Sequence, residues 1–353
     1  MDFKTVSIEF PPYVSAYQNR THTVYIAGGG GTSNTGVKNQ LQAYSVEDNN
    51  ELKFIKSLQI ADSIMWIHLD KYNNRIFFFV GNQFKSADLS LTSAGVVNHF
   101  DFQNILHKNE FITTAVSKNS HCSSLVIGTN DGRLYHLGDS KQRCRLLRKE
   151  SSSIECLVAR TYEKFILSHG ANIDEFEWPS ANEFNDKSVR LFASDEKGKV
   201  KRVISLADDE NAAVVFLFNN ELKSTHGSAC KLRDYGSALS ICPHSQIILV
   251  GMLNGFISLH DHNTLQQINI LETVVNSPVT SLTCINDHIV GVQLVATLLN
   301  DQILIGSIEY FQKHRGNNFV IHISLMIAIV ILHMIFVVFY KMDISFIGKI
   351  VHF

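Results

Sequence analysis

LVIGTNDGRLYHL, residues 125–137, contains two short apolar runs separated by Asp131-Gly132. Apolar residues fill 125–127, and alternation resumes at Leu134. A short apolar run bounded by a turn dipeptide reads as a strand, and two such runs around Asp-Gly read as a β-hairpin. A close copy lies at 247–261, IILVGMLNGFISLHD, with its turn at Asn254-Gly255. Both follow one form: an apolar triplet, a glycine, a short turn, then apolar alternation. That form is how the middle strands of a WD-type propeller blade read.

Weaker copies stand on either side, at Val24–Val46, Arg75–Leu89, Phe165–Trp178, Val214–Leu222 and Ala296–Ile308. Gly81, Gly128 and Gly170 lie 47 and 42 residues apart, close to the roughly 40–45 residues of a WD-type blade. Seven such units fit into residues 1–316. A lone blade leaves both faces of its sheet exposed, whereas a ring of blades buries them and keeps only short edges. The expected fold class is therefore all-β, a seven-bladed WD-type β-propeller. Two β-sandwich domains would explain the hairpins but not the recurring spacing. The opening residues, with Phe3, Val6, Ile8 and Phe10 apolar, read as a short strand rather than the h-region of a signal peptide.

Past the last repeat the character of the chain changes. Phe319 to Tyr340, FVIHISLMIAIVILHMIFVVFY, is 22 residues long and has no formal charge. As a helix it would rise about 33 Å, enough for a bilayer core of about 30 Å. A single transmembrane helix is expected at 317–340, followed by a short lumenal tail at 341–353. His322 and His333 read as neutral residues tolerated within the span. Lys313 and Arg315 before the span balance Lys341 and Lys349 after it, so flanking charge leaves orientation open. The absence of an h-region and six scattered cysteines without a CxxC pair, read as free thiols in a reducing compartment, place the N-terminal domain in the cytosol. A formal net charge of −2 gives no basic face for a nucleic-acid partner.

Several clusters invite a chemical reading. His260-Asp261-His262 has the residue types of a metal site, but it falls at a strand end where WD-type repeats carry a Trp-Asp pair, and a structural role is expected. Lys197, Lys199 and Lys201 alternate and read as the outward face of a solvated hairpin. Asp208-Asp209-Glu210 reads as a turn. No Ser-His-Asp or Cys-His order and no pair of carboxylates calls for a catalytic assignment.

The unusual segment is VYIAGGGGTSNTGVKNQLQAYSV, residues 24–46. Ordering a glycine run costs conformational entropy, which a ligand or contact must offset. Gly31 and Gly36 have the spacing of a phosphate-binding loop. Lys38, however, comes one residue late, Asn39 follows where a hydroxyl belongs, and the next segment alternates like a strand rather than opening a helix. A flexible loop between outer strands, or a structured loop used for contact, remains.

The run GGGG-x-x-N-T-G-V-K-N, Gly28 to Asn39, resembles the hallmark loop of the endoplasmic-reticulum guanine-nucleotide exchange factors of the PREB (prolactin regulatory element-binding protein) type. The likeness extends to Phe10-Pro11-Pro12-Tyr13, to the 247–261 blade, to Pro278-Val279-Thr280-Ser281-Leu282 and to the single C-terminal anchor. Those proteins act on the Sar-type small GTPase that starts the COPII coat. The resemblance implies a potassium ion wrapped by Gly28, Gly29, Gly30, Gly31 and Gly36, with Asn34, Val37 and Asn39 contacting the GTPase. In that arrangement Asn39 stands at the loop tip and offers donors and an acceptor to a switch segment. The resemblance implies no covalent chemistry. It also implies residence in the endoplasmic reticulum membrane with the propeller in the cytosol. A plant phosphate-transporter traffic facilitator has a related plan, so a non-exchanging scaffold that helps membrane cargo leave the endoplasmic reticulum is the alternative.

Overall fold

The computed structural model describes residues 3–307 apart from 32–35, 48, 71, 139–142, 181–183, 208, 210, 243–245, 274–275 and 288–290. The apolar span at 319–340 and the tail at 341–353 lie outside the described residues. Among the described residues no helix is long and apolar enough to cross a membrane.

The chain opens with β1 (Lys4–Ser7). The first blade is β2 (Pro12–Gln18), β3 (Thr23–Gly28), β4 (Gln40–Glu47) and β5 (Glu51–Gln59). The second is β6 (Ile67–Asp70), β7 (Arg75–Val80), β8 (Gln83–Asp88) and β9 (Val97–Asp101). The third is β10 (Ile112–Ser117), β11 (Leu125–Thr129), β12 (Arg133–Leu137) and β13 (Cys144–Lys149). The fourth is β14 (Ile154–Ala159), β15 (Lys164–His169), β16 (Asn172–Glu177) and β17 (Val189–Ala193). The fifth is β18 (Val200–Ser205), β19 (Val214–Phe218), β20 (Glu221–Ser224) and β21 (Ala229–Lys231). The sixth is β22 (Gly236–Cys242), β23 (Ile247–Met252), β24 (Ile257–Asp261) and β25 (Gln267–Leu271). The seventh is β26 (Val279–Asp287), β27 (Gly291–Leu298) and β28 (Gln302–Ser307), completed by β1.

Each blade is thus a four-stranded antiparallel sheet, and there are seven. β1 closes the ring by pairing with β28, Lys4 opposite Ile305 and Ser7 opposite Gln302. The innermost strands of the first and last blades, β2 and β26, pack side by side.

Every repeat read from sequence falls on the second and third strands of a blade. Those strands read as unbroken apolar runs because both faces are covered. On β7, Ile76, Phe78 and Val80 join the core shared with the first blade. Phe77 and Phe79, on the opposite face, join the core shared with the third. On β19, Val215 and Leu217 face the sixth blade while Val214, Phe216 and Phe218 face the fourth.

A second device recurs at the innermost strands. β10, β22 and β26 each carry a bulge near their start, and the extra residue is Thr113, Ser237 and Thr280 respectively. Thr113 Oγ1 donates to Gly128 O at 3.1 Å and to Ile154 O at 2.6 Å. Ser237 Oγ does the same to Gly251 O and Val279 O, at 3.2 and 2.7 Å. Thr280 Oγ1 lies 3.1 Å from Thr297 O and 2.6 Å from Pro12 O. A bulge re-aims a side chain, and here the re-aimed hydroxyl links a blade to the first strand of the next.

The two clearest hairpins form at Asp131-Gly132 and Asn254-Gly255. Gly132 N–H bonds to Thr129 O and Gly255 N–H to Met252 O, each at 3.2 Å, and positive φ falls on Gly132 (+87°) and Gly255 (+90°), not on Asp131 or Asn254. Three other expectations need correction. The glycines at 81, 128 and 170 do not mark one position. Gly81 and Gly170 occupy turns at positive φ, whereas Gly128 lies within β11, where an added Cβ would stand 2.5 Å from Ile154. Lys197, Lys199 and Lys201 are not on a hairpin: Val200 begins the innermost strand β18, and the preceding lysines lie on the connection leading to it. Finally, the cysteines are not all free thiols. Cys242 on β22 and Cys284 on β26 form a disulfide across neighbouring blades, with Cα atoms 5.5 Å apart. Cys144, Cys156 and Cys230 are free, and burial pushes the Cys144 thiol up to about 12. The pairing removes the cysteine argument for a reducing compartment.

Candidate functional site

The glycine-rich segment leaves the first blade between β3 and β4. Gly28 still pairs with Gln40, and Gly29 N–H bonds to Pro11 O at 3.0 Å. Gly29 (φ +139°) and Gly31 (φ +73°) adopt backbone conformations that side chains disfavour. Close approach also excludes side chains here: a Cβ at Gly28 would lie 2.0 Å from Pro11 O, and one at Gly29 2.1 Å from Asn39 Oδ1. Gly30 stands between Gly29 and Gly31 in the same turn. Gly36 has φ +76°, and a Cβ there would meet nothing within 4 Å.

Asn39 holds this turn. Its Oδ1 accepts from Gly31 N–H and its Nδ2 donates to Gly31 O, both at 2.9 Å. Nδ2 also reaches Ala61 O at 3.3 Å, and Asn39 O accepts from Ile60 N–H at 2.9 Å. The amide therefore takes the place of a peptide partner for Gly31 and ties the loop to the β5–β6 connection. Asn39 is only 8% exposed, so it stands at the foot of the loop and not at the tip, where the resemblance places it. Val37 is 37% exposed on the outer leg, and Lys38 is ion-paired with Glu9. Asn34 lies outside the described residues.

One residue of the site has no signal in the sequence. Asp62 stands between two glycine turns: its Oδ1 lies 3.5 Å from a Cβ built on Gly31, and its Oδ2 lies 3.0 Å from one built on Gly81. Ser63 N–H donates to Asp62 Oδ1 at 2.7 Å. A single aspartate in a polar break carries no motif. Its position depends on the second blade packing against the first. Backbone carbonyls such as that of Gly31 are hard oxygens of the kind a potassium ion takes, and Gly31 O also accepts from Asn39 Nδ2.

The other clusters resolve into structural roles. His260 is fully buried; its Nε2 lies 2.8 Å from Ser258 Oγ and its Nδ1 2.9 Å from Leu265 O. Burial pushes its pKa below the usual histidine value, partly opposed by the bond to the Leu265 carbonyl. Asp261 accepts from Asn263 N–H and Thr264 N–H at 3.0 and 2.9 Å, closing the β24–β25 turn. No group of three metal-ligating side chains occurs among the described residues. Lys199 pairs with Glu155 at 2.9 Å, and Lys201 lies over the Tyr235 ring at 5.4 Å. Asp209 forms a turn, accepting from Asn211 N–H at 2.9 Å.

No protein-family model matches the chain, and no curated protein matches its sequence. Solved structures do. Raptor from Chaetomium thermophilum superposes with a TM-score of 0.69 at 11% identity, over 86% of this chain and 28% of that one. The WD40 β-propeller domain of Doa1 superposes with a TM-score of 0.63 at 11% identity, over 86% of this chain and 95% of that one. The chain thus spans 28% of the length of the Raptor chain and nearly all of the Doa1 domain. At such identity the likeness is one of fold. Together with seven four-stranded sheets closed by β1, it defines the class of fold: a seven-bladed WD40-type β-propeller.

Proposed function

We propose that the chain is a membrane-anchored guanine-nucleotide exchange factor that promotes GDP release from a Sar-type small GTPase. In this reading the span at 317–340 holds it in the endoplasmic reticulum membrane, with the propeller in the cytosol, where it starts COPII budding. The observation that carries the reading is the glycine turn at Gly28–Gly31, pinned by Asn39 and leading to an exposed Val37. A loop already ordered loses less entropy when a partner docks on it.

Exchange needs no covalent step. A factor that binds the nucleotide-free GTPase better than the loaded form weakens nucleotide affinity by linkage. Val37 would enter the GTPase surface, Asn34 would contact it beside Val37, and Asn39 would keep the loop in shape. A potassium ion would be held by the carbonyls of the glycine turn, Gly28–Gly31 and Gly36, and would add order without chemistry of its own. Asn39 turning inward favours a second reading, a scaffold for cargo leaving the endoplasmic reticulum without exchange activity.

The two readings part in one measurement: GDP release from a Sar-type GTPase by the full chain in liposomes, run in potassium and in sodium. Exchange predicts release above background, faster in potassium, and cut at least about tenfold by Val37→Asp. Background release in both salts overturns it in favour of the scaffold.

A further inference from the structure

In an antiparallel blade the turns joining the second strand to the third, and the connections from the fourth strand to the next blade, emerge on one face of the ring. Val37, Met65, Phe111, Tyr235, Leu253 and Leu299 all stand exposed on such segments. Spread singly around the ring they carry no meaning; Met65 and Phe111 differ, because they line one cleft together.

Within that face lies a cleft of about 180 Å³ between the second and third blades, lined by Asp62, Met65, Trp66, Phe79, Phe111 and Thr113 among others. Met65 is 57% and Phe111 55% exposed. Trp66 packs on Phe79 with ring centroids 5.4 Å apart. Phe111 is held from both sides of its backbone: its N–H donates to Asn130 Oδ1 at 2.8 Å, and its carbonyl accepts from Asn130 N–H at 3.2 Å. Thr113 is fixed by the inter-blade bonds described above. An exposed aromatic ring on a rigid frame loses little freedom when it is covered.

Size and charge narrow the occupant. The volume equals about six waters at roughly 30 Å³ each and falls below the roughly 300 Å³ at which small-molecule sites begin. It fits one side chain. Asp62 is the one charged residue among those lining the cleft, and it makes no ion pair among the described residues. Covering it without a cation would leave a carboxylate buried and uncompensated.

We propose that this cleft docks an extended segment of a partner protein. The segment inserts one large apolar side chain against Met65, Trp66 and Phe111 and sets a neighbouring lysine or arginine beside Asp62. This goes beyond the GTPase reading and does not depend on it.

The test pans a library of displayed random peptides against the full chain in nanodiscs and measures the enriched peptides by fluorescence polarisation. The expected peptides share a large apolar residue next to Lys or Arg. Phe111→Ser and, separately, Met65→Ser weaken them at least about tenfold, with thermal denaturation unchanged. Asp62→Lys shifts the selected neighbour from basic to acidic, a swap that mere unfolding does not produce. No shared motif, or a motif whose binding survives Phe111→Ser and Met65→Ser, overturns the proposal. So does a dimer of the full chain that Phe111→Ser dissociates, which would assign the cleft to a second copy.

Discussion

Gly29 and Gly36 both sit at positive φ in one loop, yet the structure demands glycine at them for different reasons. At Gly29 a Cβ would collide with Asn39, 2.1 Å from Oδ1 and 2.6 Å from Cα. At Gly36 the cost is conformational alone, about 1–2 kcal/mol for a left-handed residue, because the space is open. Hydrogen exchange at Gly31 N–H, which bonds to Asn39 Oδ1, separates the two. We expect protection to survive Gly36→Ala and to vanish in Gly29→Ala and Asn39→Ala. His260 gives a second prediction at this scale. Its folded pKa is depressed by burial, so the unfolded chain takes up the proton first, near pH 6.5. The stability it contributes is complete above that pH and declines as pH falls through it. Urea midpoints measured from pH 8 down to pH 5 should fall below about pH 6.5, and His260→Gln should flatten that part of the curve.

The blade is the element, and its cohesion has two sources. The second and third strands bury both faces against neighbouring blades, while the bulged hydroxyls of Thr113, Ser237 and Thr280 bond one blade to the next. The Cys242–Cys284 disulfide adds a covalent link between the sixth and seventh blades. It closes a loop spanning 42 residues of sequence, which by chain-entropy reckoning contributes about 4 kcal/mol. Peptide mapping without reductant should recover the linked pair. Dithiothreitol should lower the unfolding midpoint of the natural chain and leave that of Cys242→Ser unchanged. Of the two sources only the first is legible in the sequence. The apolar runs were legible because burial on both faces writes them as continuous hydrophobic stretches. The bulges were not, because a bulge is a mismatch in pairing and leaves no mark on either strand alone.

At the scale of the whole molecule the ring depends on β1. This strand pairs with β28, while Val6 and Ile8 pack into the core shared by the seventh and first blades. Removing residues 1–8 takes away two partly buried aliphatic side chains, each contributing less than the roughly 1.5–3 kcal/mol of full burial, and leaves β28 as an unpaired edge. The truncated chain should unfold at a lower denaturant concentration and show intermolecular association by light scattering.

The sequence by itself determined the class of fold, the place of all seven middle hairpins and the unusual character of Gly28–Gly31, because period, turn residues and glycine runs are local properties. Tertiary structure alone decided that residues near the start complete the last blade, that Cys242 meets Cys284, that Asn39 turns inward and that Asp62 stands beside Gly31. Each of these is a contact between segments whose separation along the chain says nothing about their distance once the ring has closed.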